Sequence, residues 1–457
     1  MKQAVQKQKL DMLNGSLWNK IPQFALPVAA TAILEQLFNA SDIAVVGNFS
    51  GAASTIAVAA VGANSFVISL VVNFFIGIAL GANVVIANAI GREDTDAVHR
   101  AVHTAVVVAV LGGVLVTVLG ELAAGPALRA LNVPAEVLPY ALLYLRIYLL
   151  GVPVILLYNF EAAIFRSVGD TRVPLQTLAF SGVLNVLLNL FFVIVLHMTV
   201  NGVATATVLS NAISSVLLFV RLRRSDKAIH LEWTALRIDR RSLQKILQIG
   251  IPAGIQSAVF SISNIVIQSA INSLGTVVMA ASSAAFNIEV VAYDVLNSFS
   301  QACTTFVGQN YGAGKLDRCR KTLVLCLVED ALASGIAILL VLGSGHFLLS
   351  LFNRDPEVIA LGYTRLMTVF TAYFFSMLYE VMSGYLRGFG ISLVPALLTM
   401  LGVCGVRILW IATAFPRSRT FQTILLAYPL SLAATAVLIL LALLIYHPSR
   451  RTKGEAV

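Results

Sequence analysis

The sequence predicts an all-α integral membrane protein of twelve transmembrane helices, arranged as two parallel-repeat six-helix lobes. Three observations carry this. Hydrophobic residues make up 58% of the 457, and only 12% are charged, against roughly 25% charged in a soluble domain. The apolar residues gather into twelve long segments separated by short polar connections. The second half of the chain repeats features of the first at a fixed offset.

The segments run, in order, over about 21–46, 56–86, 101–122, 137–162, 173–196, 202–220, 247–271, 277–306, 322–345, 358–385, 393–415 and 422–446. Each is long enough to cross a bilayer as a helix. The connections are rich in Gly, Pro, Asn and charge. Strands of a membrane barrel would be near ten residues with strict alternation, and nothing here alternates in that way. The first 20 residues have Lys2, Lys7, Lys9 and Lys20 but no strong apolar core. No small-residue cleavage signal follows, so a removed signal peptide is not expected. The four Cys are scattered and read as small hydrophobes, not as a disulfide framework.

Basic residues set the orientation. With the N-terminus in the cytoplasm, the two tails and the inner loops hold 24 of the 31 Lys and Arg. This bias predicts that both termini are cytoplasmic. It also accounts for the net charge of +9 as a basic rim facing anionic headgroups, so nucleic acid is not an expected partner.

The repeat is read from residues 156–174, LLYNFEAAIFRSVGDTRVP, and 377–395, MLYEVMSGYLRGFGISLVP. At an offset of 221, Tyr158, Arg166, Gly169, Val173 and Pro174 fall on Tyr379, Arg387, Gly390, Val394 and Pro395. The same offset sets NAIG (88–91) against QNYG (309–312). Matching Arg, Gly and Pro in loops is poorly explained by chance among apolar segments. The predicted organisation is an N-terminal lobe over 1–222, a basic cytoplasmic linker over 223–245 and a C-terminal lobe with its tail over 246–457. Parallel repeats tend to bind cargo between lobes near mid-depth.

A carboxylate inside a span is costly and marks function by default. The candidates are Glu35, Asp42, Glu121, Glu161, Glu289, Asp294, Glu329, Asp330 and Glu380. Asp42 is the sharpest, set in NASDIAVVGN without a local basic partner. Such a group suits a proton, Na⁺ or a cationic cargo, although it could be a structural Asp bonded to backbone or amides. Glu35 lies seven residues earlier, on about the same face and about 10 Å away. It either extends a polar stripe or packs between helices. Pro27 frees a backbone carbonyl within helix one and is a candidate hinge; a fixed kink is the alternative.

Asn185 and Asn189 form an i,i+4 pair on helix five that could serve Asp42 or an ion. Asn64 and Tyr144 could join them. In the second half, Glu289 and Glu380 either line the substrate cavity or pair with an intramembrane Arg such as Arg365 or Arg407. Arg166 and Arg387 read as structural ties at helix ends. No His spacing suits a metal, GQNYGAGK (308–315) does not meet the phosphate-loop pattern, and no residue set suggests an enzyme or a cofactor.

Pro27 with ASDIAVVGN (40–48), FRSVGDTRVP (165–174), LNVLLN (184–189), VGQNYGAGK (307–315) and YLRGFG (385–390) together resemble the multidrug and toxic compound extrusion (MATE) family over about 20–446. The resemblance implies two lobes in a V around a cavity, and export of amphipathic, often cationic, small molecules against H⁺ or Na⁺. It implies that Asp42 is the coupling-ion carboxylate and that Asn185 belongs to a helix-five cluster. Archaeal members carry Asp where this chain has Asn189. The NorM-like branch places a Glu and an Asp where this chain has Phe260 and Ser376. The chain is therefore more similar to the DinF-like branch, with H⁺ slightly favoured over Na⁺. A monomer in the bacterial cytoplasmic membrane is expected. The alternatives are a flippase for a lipid-linked precursor, which would want a basic cavity, and a non-transporting scaffold, which would seal the lobe interface.

Overall fold

A computed structural model describes residues 10–131, 133–225 and 228–448. It is all-α, with twelve helices long and apolar enough to cross a membrane. They are α1 Leu17–Phe49, α2 Ser54–Gly91, α3 Thr95–Ala130, α4 Leu138–Ser167, α5 Arg172–Val195, α6 Val200–Arg223, α7 Arg240–Asn272, α8 Thr276–Gly312, α9 Leu316–Ser350, α10 Pro356–Gly388, α11 Leu393–Thr413 and α12 Phe421–Tyr446. Most run past the apolar runs that announce them, because the backbone ladder continues into the polar turns. Two helices contain a π-helical stretch, Phe191–Val195 in α5 and Met400–Gly405 in α11. These are the fifth helix of each repeat.

Lipid-facing stripes are plain on the outer helices. In α3, Leu111, Leu115, Val118 and Leu122 are exposed at i, i+4, i+7 and i+11, and in α9 Leu332, Ile336 and Leu339 follow the same rule. Such continuous apolar stripes, with Leu122 at 75% and Leu339 at 72% exposure, are suited to hydrocarbon.

The chain divides into two compact units. The first contains Ala30–Gly250; the second contains Leu10–Ala29 and the chain from Ile251 on. Thus α1 and α7 each belong to both, and each changes unit beside a helix proline, Pro27 and Pro252.

In unit 1, α4 is the central helix and packs on α2, α3 and α6. The approach to α3 depends on Gly113, where a Cβ would lie 3.0 Å from the Pro153 nitrogen. The opening turns of α7 lie against α2, where a Cβ on Gly81 would be 2.9 Å from Gly250 N. Small residues at such crossings let backbones meet where lipid gives no hydrophobic drive to associate. The segment before α7 is strapped to α3. Ile229 and Leu231 are buried, Glu232 N–H donates to His103 Nε2 (3.0 Å), and Asp239 N–H donates to Thr104 Oγ1 (3.0 Å). Asp239 also accepts from the N–H and hydroxyl of Ser242, both at 2.8 Å. Those bonds, with Arg100 and Arg241 nearby, hold its carboxyl below the usual carboxylate range.

In unit 2, α10 takes the central place, packed on α8, α9 and α12. The first half of α1 joins this unit through Ile21, Phe24, Ala25 and Val28, which are buried with Phe299, Ala302 and Phe306 of α8. The residues before α1 are held there too: Arg318 donates to the carbonyls of Met12, Asn14 and Gly15.

The repeat is visible in the turns. Gly169 and Gly390 end α4 and α10 with φ of 83° and 85°. In both, a bond returns to the carbonyl of the matched arginine, Gly169 N to Arg166 O and Gly390 N to Arg387 O. The turns after α2 and α8 also match, but Glu93 (φ 58°) stands where the second copy has Gly314 (φ 71°). A left-handed Glu carries strain of about 1–2 kcal/mol, so Glu93→Gly is expected to stabilise the protein by up to about 1 kcal/mol after the entropic cost of Gly. Thermal unfolding in detergent measures this, and a lowered midpoint contradicts it.

Candidate functional site

The polar centre of unit 1 is built on α1, α5 and α6. Asp42 lies seven residues before the end of α1, about 10 Å along the axis, and is 5% exposed. Its Oδ1 accepts from Asn189 Nδ2 at 2.5 Å and its Oδ2 accepts from Thr207 Oγ1 at 2.9 Å. Asn189 Nδ2 also donates to Asn185 Oδ1 at 3.2 Å, and Asn185 Nδ2 reaches Ser210 Oγ at 3.4 Å. The side-chain oxygen of Asn189 is buried without a hydrogen-bond partner. Among the described residues no ion pair involves Asp42. The carboxylate is thus held by neutral donors alone, with an unused acceptor oxygen nearby: a group of oxygens that can accommodate a proton or a small cation.

Helix geometry explains the meeting. Asn185 and Asn189 are one turn apart, and α1 approaches α5 because Gly182, three residues before Asn185, leaves room for the Phe38 ring. A Cβ on Gly182 would fall inside that ring. Gly182→Val is therefore expected to push α1 off α5 and to cut transport about tenfold, the scale of a ~1.4 kcal/mol loss. Efflux by the reconstituted variant measures this. Unchanged efflux would show that the α1–α5 spacing is not needed.

The other expected site residues fall as follows. Tyr144 is buried and stacked with Tyr148, ring centroids 6.4 Å apart, and the Asp42 charge bears on both. The Asn64 amide donates to Ala60 O and Ala141 O, tying α2 to α4. Glu35 lies within the electrostatic reach of Arg166. Pro27 sits inside an α1 that is helical throughout.

In unit 2, Glu289 is paired with Arg365, Oε1 to Nε at 2.7 Å and Oε2 to Nη2 at 2.9 Å. Arg365 also donates to Ser282 and Tyr428. Among the described residues no ion pair involves Glu380; its Oε1 accepts from Tyr293 at 3.0 Å. Among the described residues, no group of His, Cys, Asp and Glu is arranged to hold a metal.

The MatE family model matches residues 27–191 and 252–412, one stretch in each repeat. This chain belongs to the MatE family. As a MatE protein it is a secondary-active, ion-coupled transporter of small molecules. It is 26% identical over 402 residues to the probable multidrug resistance protein YoeA of Bacillus subtilis (strain 168), covering 86% of each chain. It is 26% identical over 446 residues to the probable multidrug resistance protein NorM of Thermotoga maritima, covering 95% of this chain and 93% of that one. The fold matches a structure described as the outward-facing conformation of a multidrug resistance MATE family transporter. There the TM-score is 0.89 at 20% identity, over 98% of this chain and 99% of the other.

Sequence reasoning missed Thr207 and Ser210 in this MatE chain. They stand three residues apart on α6, within a polar run that continues to Ser214, whose hydroxyl bonds Ser181 of α5. That strip on one face of an otherwise apolar helix was the available signal.

Proposed function

We propose that this protein exports amphipathic, often cationic, small molecules in exchange for H⁺, with Asp42 as the ion-binding carboxylate. The observation that supports this is the setting of Asp42: buried and, among the described residues, unpaired with any base and bonded by Asn189 and Thr207. A group so placed is costly to keep charged and gains from taking up a cation. Asn185 and Asn189 serve as its amide partners, and Tyr144 flanks it. Glu35, Asn64, Glu289 and Glu380 are proposed to border the cargo route, Glu289 through its pair with Arg365. Multidrug resistance in the names of YoeA and NorM agrees with a broad choice of cargo.

In this reading the coupling ion binds Asp42, α1 rearranges near Pro27, and the hold on cargo weakens. Reciprocity requires ion and cargo to weaken each other's binding by the same factor. The lobes expected over 1–222 and 246–457, with the 223–245 linker, are proposed as the moving parts, the opening of α1 going with the second and the linker with the first. Phe260 and Ser376 support the DinF-like branch, and the basic bias supports both termini inside; the reading takes the protein as a monomer in a bacterial cytoplasmic membrane.

Proteoliposomes with separate H⁺ and Na⁺ gradients test the reading. Uptake or release of an amphipathic dye should follow the H⁺ gradient. Response to Na⁺ alone would transfer the role to that ion, and response to neither would overturn ion coupling.

A further inference from the structure

The segment that leads into α7 is fastened to α3 through an imidazole. His103 of α3 is buried. Its Nε2 accepts from the Glu232 N–H at 3.0 Å, so that nitrogen holds no proton. Its Nδ1 faces His99 O at 2.7 Å. A carbonyl can only accept, so the ring proton is on Nδ1. The two partners therefore fix a neutral ring in one tautomer. Ile229 and Leu231 of the segment are buried in one cluster with Val98, Val102 and Ala105 of α3. The fold does not demand an imidazole at this place. At the repeat offset of 221, Val324 of α9 stands where α3 has His103, and it is 58% exposed.

Titratable groups reach the ring from two sides. On α3, His99 packs on it with ring centroids 3.9 Å apart. On the segment, Glu232 bears on it, and His230 Nε2 stands 3.9 Å from Glu232 Oε1. Asp239, further along, is occupied by Ser242, with Arg100 and Arg241 nearby. A proton added to Nε2 would set two donors against each other. One N–H bond forms, the hydrogen bond from Glu232 is lost, and no other bond changes. The fastening is therefore complete in the neutral form and is lost as the pH falls through the imidazole range.

We propose that His103 is the catch of an acid-sensitive latch, holding the 229–239 segment against α3 until the ring takes up a proton. The segment continues into α7, which starts in the first unit and ends in the second. The latch thus acts on one of the two helices that the units share, and it answers to the pH on the side that the segment faces. It goes beyond the exchange reading and does not rest on Asp42 or on the cargo.

The test uses the full chain in detergent and the fluorescence of Trp233, which follows Glu232 and packs on Phe219 of α6 with ring centroids 4.8 Å apart. Trp18→Phe and Trp410→Phe leave it as the only tryptophan. Between about pH 8 and about pH 5, across the imidazole range, the emission should change in a single-proton step. Exchange of the Glu232 amide, corrected for its intrinsic pH dependence, should quicken about tenfold, the scale of one hydrogen bond. His103→Gln can still accept through its side-chain oxygen but does not titrate, and should keep the high-pH emission throughout. His103→Leu should show the low-pH emission throughout. His99→Gln and His230→Gln should each keep the step. Absence of a step in the wild type overturns the proposal, as does a step that survives in His103→Gln or is lost in either of the other two. If the His103 variants do not fold, the protein with both His99→Gln and His230→Gln decides: a surviving step supports the latch and a lost one overturns it.

Discussion

Asp42→Asn is expected to remove the response of efflux to an imposed ion gradient while leaving the protein folded in the membrane. The amide is nearly the same size as the carboxyl and can still accept from Asn189 or Thr207, which hold the native side chain. What it cannot do is change charge or take up a cation. Coupling between ion and cargo is usually a matter of roughly 5–150-fold in affinity, and that whole factor should vanish. Efflux from proteoliposomes, with and without the gradient, reads it directly. Wild-type gradient dependence in the variant would remove Asp42 from the mechanism.

The largest effect on stability is expected at Glu289→Gln. Arg365 and Glu289 are both almost wholly buried and share two hydrogen bonds. Ser282 and Tyr428 take further donors of the guanidinium. Removing the acid leaves a cation among the apolar residues that join α8, α10 and α12, at a cost of about 3–5 kcal/mol. Replacing both, as Glu289→Leu with Arg365→Met, should recover most of that, because desolvation of the two charges is also relieved. A double-mutant cycle on unfolding in detergent measures the coupling. If the single variant unfolds like wild type, the pair contributes little and the reading of this core is wrong.

The sequence made the spans legible because lipid permits few alternatives: a long apolar run at this length can be satisfied only as a helix. Asp42 stood out for the same reason, and the one-turn spacing of Asn185 and Asn189 announced a shared face. Thr207 did not stand out. Threonine is common in apolar helices, where its hydroxyl returns to its own backbone, and this one does bond Val203 O as well. Glu289 and Arg365 are 76 positions apart, so the sequence offered Arg365 and Arg407 as partners without a means of choosing. Asn64 illustrates the converse. Its residue type fits a polar cluster, but its amide is used to join α2 to α4. The change of unit along α1 was hidden because the apolar run continues through Pro27, and the π-helical stretches carry no residue signature at all.

The exchange of helix segments bears on ancestry. Each unit is completed by the opening piece of a helix whose remainder sits in the other. A primitive single-copy form would have lacked that piece unless two molecules traded it. Such an ancestor would have been an obligate pair before any gene fusion. By the same logic, the two halves of the present chain, made as separate polypeptides, should accumulate only when synthesised in the same cell.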